Sequence, residues 1–177
     1  SMFFSAKSFN NNSLANWNVS SVTNMRQMFY GASAFNGDIS GWDVSSVTNM
    51  RVMFSQTAIN QDLSNWDVSS VDSMWGMFER ARQFDKDISS WDISSVTDMT
   101  SMFSRADALS DLNKCAIHNA YKSNSNWPYD WSSSCAGTIQ GTVRQSNGSA
   151  LPGVLVSFSG ANTDNTTTNN SGNFNKT

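Results

Sequence analysis

Apolar positions recur along the first hundred or so residues with a period near 25, rather than the 3.6 or 2 of one long helix or strand. Trp17, Trp42, Trp66 and Trp91 stand 25, 24 and 25 residues apart. Met25, Met50, Met74 and Met99 keep this spacing, as do Met28, Met53, Met77 and Met102, and Phe3, Phe29, Phe54, Phe78 and Phe103 form a third series. All nine methionines fall in the two Met series, with Met2 opening the second. The unit reads Met-Phe-x-x-Ala-x-x-Phe-Asn-x-Asp-Ile-Ser-x-Trp-Asp-Val-Ser-Ser-Val-Thr-x-Met. Such a span is too short for two packed helices and suits one strand plus a helical turn or two. Val47, Met50, Met53 and Phe54 have helical spacing and would share a face. Ser46 with Asn49, and Ser95 with Asp98, read as weak capping boxes. Asp38-Ile39-Ser40 alternates over a length suited to a very short strand.

The predicted fold is therefore α/β: a leucine-rich-repeat-like solenoid of about four to five strand-helix repeats over residues 1–107, coiled right-handed. Ile39, Trp42, Val44, Val47, Met50, Met53 and Phe54, with their equivalents, would face inward. Each would stack on a copy of itself at roughly 4.8 Å where strands pair, because one rung cannot hide its apolar side alone. The flexible thioethers suit an interior shared with aromatic rings. Two departures read as loop adjustments: Asn10-Asn11-Asn12 and Leu14 in the first unit, and one missing residue near Ala58-Ile59 in the third.

The stretch Phe35-Asn36-Gly37-Asp38-Ile39-Ser40-Gly41-Trp42-Asp43-Val44-Ser45-Ser46-Val47-Thr48-Asn49-Met50, repeated at 60–74 and 84–99, resembles the BspA-like leucine-rich repeat surface proteins of bacteria, in their variant of about 25 residues. The resemblance implies a secreted or lipid-anchored surface protein engaged in adhesion or host contact, and no enzymatic activity.

Composition points the same way. Charged residues are 14% of the chain, while 32 Ser and 21 Asn supply 53 of 177 residues. A net charge of −3 argues against nucleic acid, which needs a basic stripe. One histidine and two cysteines exclude most zinc sites and multi-histidine chemistry. No apolar run is long enough to span a membrane. Ser1-Met2 reads as a cloning remnant, and the chain as a fragment.

On the outer strand face the expected rows are Asn36/Asn60/Asp85, Asp38/Asp62/Asp87 and Ser40/Ser64/Ser89. A column of carboxylates at rung spacing is repulsive unless compensated. Three readings of Asp38, Asp62 and Asp87 are open: hydrogen bonds from turn amides, a ligand rich in hydroxyl or ammonium donors, or calcium held by Asp and Asn oxygens. The second row, Asp43, Asp67 and Asp92, reads as turn formers. Trp75 stands where other units have Arg26, Arg51 and Thr100, and is a candidate anchor for a partner or a sugar.

After Ala106 the pattern breaks. Residues 108–136 read as a cap: a helix from N-cap Ser110, then an aromatic loop with Trp127, Tyr129 and Trp131 as either core cover or a sugar platform. Cys115 and Cys135 would be disulfide-bonded across it, in keeping with an oxidising compartment. His118 lacks a nucleophile or a second histidine nearby in sequence. From 137 to 177, Gly141-x-Val143, Leu151-Pro152-Gly153-Val154-x-Val156 and Ser171-Gly172-Asn173-Phe174 resemble the start of a carboxypeptidase-regulatory-like, Ig-like β-sandwich, a non-catalytic module. An incomplete sandwich would leave β edges open to self-association.

The sequence thus predicts a non-enzymatic extracellular or cell-surface module for adhesion, binding a protein or glycan ligand. Two alternatives are a plain spacer and a carbohydrate-binding module using exposed aromatics.

Overall fold

The computed structural model describes residues 2–135, 139–150, 155–158, 164–167 and 173–176, in two compact units, Ser1–Cys135 and Ala136–Thr177. In the first unit the repeat forms a stack of rungs, and like side chains do lie over like. The Phe3, Phe29, Phe54, Phe78 and Phe103 rings form one column with centroids 5.2, 5.8, 5.7 and 5.6 Å apart. Ile39, Trp42, Val44, Val47, Met50, Met53 and Phe54 are all buried, as are their counterparts in the next two rungs.

The rungs are not built as predicted. No α-helix and no strand forms within 2–107; the one regular piece is a 3-10 helix, Asn12–Asn16, capped by Asn11 and burying Leu14. The expected strand-helix, leucine-rich-repeat solenoid is therefore corrected to rungs made of tandem turns. Their only β pairing is a line of single parallel bridges, Asn24–Asn49–Ser73–Asp98.

The hydrogen bonds give the reason. Met25, Gln27, Phe29 and Gly31 donate their N–H groups to the Asn49, Arg51, Met53 and Ser55 carbonyls of the next rung, at 2.9, 3.0, 3.1 and 2.9 Å. The intervening Met28, Tyr30 and Ala32 donate to carbonyls three residues back. An α-helix needs each N–H for the carbonyl four residues back, so this alternation excludes it. To turn every other amide outward, two residues per rung adopt left-handed φ: Gln27 and Gly31, Val52 and Gln56, Gly76 and Arg80, Ser101 and Arg105, between 46° and 70°. The Val47, Met50, Met53 and Phe54 spacing that mimics a helix is produced by these turns. Likewise Asn49 and Asp98 cap no helix; each accepts the amide two residues on, from Arg51 and Thr100. Asp38-Ile39-Ser40 is a turn, with Asp38 accepting from Ser40 and Trp42 donating back to Ile39.

Each buried tryptophan ties its rung to the one before. The Trp42, Trp66 and Trp91 indoles donate to the Leu14, Ile39 and Leu63 carbonyls at 2.7, 3.2 and 2.8 Å. The missing residue of the third unit is absorbed at Thr57. Ala32, Ala81 and Ala106 close a turn with the amide three residues on, whereas the Thr57 hydroxyl itself accepts the Ile59 amide, two residues on.

The cap substitutes for a further rung. Helix α1, Asp111–Tyr121, starts at Ser110, whose side chain accepts from the Asn113 amide. Its Tyr121 hydroxyl donates to the Ile88 carbonyl, the role the indole plays in earlier rungs. The Tyr129 hydroxyl accepts the Phe103 amide at 2.8 Å, where a carbonyl of the next rung would stand. Cys115 and Cys135 form the expected disulfide.

In the second unit, β1 (Ile139–Thr142) pairs antiparallel with β4 (Asn173–Lys176), Ile139 opposite Lys176. β2 (Leu155–Phe158) pairs antiparallel with β3 (Asp164–Thr167), Leu155 opposite Thr167. Gly148, at φ 84°, closes a turn next to the Arg144–Ala150 bridge. Residues 151–154 and 171–172, which carry much of the sandwich resemblance, lie outside the described residues.

Candidate functional site

The proposed rows of side chains resolve into three arrangements. Asp38, Asp62 and Asp87 are exposed, and each is occupied locally: one carboxylate oxygen accepts the amide of Ser40, Ser64 or Ser89 at 3.0, 3.0 and 2.9 Å. The Ser40 hydroxyl and then its amide hold the Asp38 carboxyl below its ordinary value; for Asp62 the Ser64 amide leads and the hydroxyl follows. Asp43, Asp67 and Asp92 repeat the motif with Ser45, Ser69 and Ser94. The Asp67 carboxyl is also lowered, chiefly by the Ser69 hydroxyl, although the neighbouring Asp43 and Asp92 charges push it up. These turns use only one oxygen: the second of each of these six carboxylates has no hydrogen-bond partner among the described residues. Among the described residues no group of three His, Cys, Asp or Glu side chains is placed to hold a metal ion.

The Asn36, Asn60 and Asp85 row is structural. The Asn10, Asn36 and Asn60 side-chain carbonyls accept the amides of Asn36, Asn60 and Asp85, one rung on, at 3.0, 2.8 and 2.9 Å. Asp85 ends the ladder by accepting from the Ser110 amide and hydroxyl and from the Asn113 side chain. Polar residues predicted to face a ligand thus bind the stack together.

Trp75 is half-buried beneath Arg51, whose guanidinium carbon lies 5.0 Å from the ring centroid, and Arg51 also reaches Asp98 at 3.3 Å. The face offered to a sugar is already covered by a cation. Trp127 is half-buried in the cap. Its indole points at His118 Nδ1, 3.4 Å away, and its ring meets Tyr121 and Trp131 edge-on with centroids 5.3 Å apart. Its neighbour Tyr129 is buried enough to push the phenol up. This cluster packs on Phe103 and covers the last rung.

Two of the grooves on the described surface are not foreshadowed by the repeat pattern. One, of about 510 Å³, runs between Trp91–Thr97 and the cap residues Ser123–Asn126. Its wall is held by the Asn124 side-chain amide donating to the Ile93 and Val96 carbonyls at 2.9 and 3.2 Å. The other, of about 380 Å³, is apolar and lies along Trp17–Met28. Trp17, the first of the Trp series, lines it and is exposed, unlike Trp42, Trp66 and Trp91. The chain's one histidine, His118, accepts from Trp127 and lines neither groove.

No helix among the described residues is long and apolar enough to cross a membrane. Comparison with curated proteins and with solved structures finds no match. Residues 1–126 match the family described as Mycoplasma protein of unknown function, DUF285, and the chain belongs to that family.

Proposed function

We propose that the chain is a non-enzymatic binding module of an extracellular or cell-surface protein, and that its outer carboxylate rows contact a partner protein rich in ammonium and guanidinium donors. The observation that carries this reading is the pair of exposed rows, Asp38/Asp62/Asp87 and Asp43/Asp67/Asp92. Each side chain is fixed by its own turn while one oxygen remains available to a donor. Fixed acceptors at regular spacing reduce the ordering cost of binding. Like charges held side by side gain from an incoming cation. The Cys115–Cys135 disulfide supports the oxidising compartment.

The test is adhesion of the chain to bacterial or host cells, beside a glycan array. Asp43, Asp67 and Asp92 are then exchanged together for Asn, which keeps the turn acceptor and removes the charge. Binding should fall about tenfold and weaken with salt. Equal binding by the triple variant refutes the carboxylate reading, and no binding to any surface leaves a spacer.

A further inference from the structure

We propose that a polar groove at the shortened third rung binds an acidic saccharide, a sugar unit bearing a carboxylate or a sulfate, through Arg80 and Arg82. The groove, of about 370 Å³, lies inside the stack, with a bonded rung on either side of the short one. The repeat explains its place. From the column phenylalanine to the next core residue the chain takes six steps at Phe29–Phe35 and at Phe78–Phe84, but five at Phe54–Ile59. The third rung is thus one residue short between two full ones. The groove is lined there by Thr57 and Ala58, flanked by Ser33 of one neighbour and by Arg82 and Gln83 of the other. Backbone bonding lapses at the same corner. The Ala34 amide donates to the Lys7 carbonyl of the preceding rung at 3.0 Å, whereas the amide of Gln83, at the matching position, and that of Ala58 have no partner among the described residues.

The lining has a surplus of donors. Arg80 and Arg82 each approach a carboxylate only through Nε, Glu79 and Asp107 respectively, both at 3.8 Å and beyond hydrogen-bond reach. Neither guanidinium makes a hydrogen bond among the described residues, and no carboxylate lines the groove. Two guanidiniums and two amides therefore lack acceptors, and a ligand has to bring both the acceptors and the negative charge. A guanidinium fork takes an oxyanion through paired N–H···O bonds. The remaining groups favour a saccharide over an acidic peptide. Ser33, Gln56 and Gln83 both donate and accept, as sugar hydroxyls do. The Gln56 amide nitrogen donates to the Tyr30 hydroxyl at 2.9 Å, which leaves its carbonyl oxygen without a partner among the described residues. Beyond Ala58 and the Thr57 methyl there is no apolar side chain to seat a peptide residue. The volume falls within the range of roughly 300–1,000 Å³ that holds a small molecule. The groove shares no residue with the carboxylate rows and offers the opposite charge.

The experiment is NMR titration of the isotope-labelled full chain with a glucuronic-acid disaccharide, a sulfated disaccharide, a neutral disaccharide and a pentaglutamate peptide. At least one acidic sugar should give saturable shifts of the Ala58 and Gln83 amides and of the Arg80 and Arg82 Nε–H signals, with a Kd of about 1 mM or below, and the neutral sugar should give none. The acidic sugar that saturates identifies the anion. Arg80→Gln and Arg82→Gln should each weaken binding about tenfold at an unchanged melting temperature. Glutamine already takes the left-handed turn of Arg80 one rung earlier, at Gln56, and Arg82 is largely exposed. Arg26→Gln, which removes the same charge outside the groove, should leave binding unchanged. If Arg80→Gln unfolds the chain, Arg82→Gln decides. No saturation by either acidic sugar at about 10 mM, equal binding of the neutral sugar, or full binding by both arginine variants overturns the proposal. Saturation by pentaglutamate at a lower concentration than by either sugar overturns the choice of a saccharide.

Discussion

Replacing Thr57 by valine removes one hydroxyl while keeping the shape and the branching at Cβ. Thr57 is 4% exposed; its hydroxyl donates to the Phe54 carbonyl at 2.7 Å and accepts from the Ile59 amide at 3.4 Å. The Phe54 carbonyl keeps a second donor, the Thr57 amide, so the loss falls on the Ile59 amide, in a residue that is fully buried. A buried donor left unpaired costs about 1–3 kcal/mol. Urea unfolding followed by tryptophan fluorescence should show a loss of about 2 kcal/mol with an unchanged m-value, because the surface exposed on unfolding is the same. Ser55 supplies the opposite case two residues away. Its hydroxyl is buried and has no partner among the described residues, so Ser55→Ala should be neutral or stabilising. A Thr57→Val loss under about 0.5 kcal/mol, or a Ser55→Ala loss as large as that of Thr57→Val, refutes the idea that this hydroxyl absorbs the missing residue.

Other outcomes follow from the same contacts. Gly76, at φ 60°, would place an added Cβ 2.9 Å from Val52 Cγ1, so Gly76→Ala should cost at least the roughly 1–2 kcal/mol of a left-handed alanine. Adding Val52→Ala should recover part of that loss, and strict additivity of the two changes in thermal melts would deny the rung-on-rung contact. Asp38, Asp43, Asp62, Asp67 and Asp92 all titrate below the ordinary 3.8 through bonds to the serine two residues on. The unfolded chain therefore takes up protons first, and stability should be flat above about pH 5 and fall as pH drops through 3.8 and below. A melting temperature that rises on acidification contradicts this sign. Reducing the Cys115–Cys135 bridge, which spans 20 residues, should cost about 3 kcal/mol in the chain-entropy model, read from melts with and without reductant.

Much of this architecture was legible in the sequence, because a stack of like residues leaves a period that composition alone does not produce. The Trp, Met and Phe series located the core, the break after Ala106 located the cap, and the two cysteines gave the disulfide. Local backbone was not legible, for a physical reason. Positions three and four apart share a side in an α-helix and also in a run of tandem turns. What distinguishes the two is where the amides go, and that depends on a neighbouring rung some 24 residues distant. Left-handed φ at Val52, Gln56, Arg80 and Arg105 carries no residue signature, since glycine marks only Gly31 and Gly76 among these turns. The outer rows misled for a related reason. Asn36 and Asn60 look like surface side chains until each is seen holding the amide of the next rung, and Trp75 looks free until Arg51, one rung earlier, covers it. The Asp-x-Ser turns, by contrast, are local, and turn-amide bonds, one of the three readings open for Asp38, Asp62 and Asp87, are present.

Amides that bond from rung to rung hold the stack in register. The most direct measurement is scalar coupling through the hydrogen bond, recorded by long-range HNCO spectroscopy on labelled protein. The Phe54 amide should couple to the carbonyl carbon of Met77, and Met50 and Val52 to those of Ser73 and Trp75. Coupling of the Phe54 amide to the Met50 carbonyl instead would mean that the segment is helical and the rungs are built in another way.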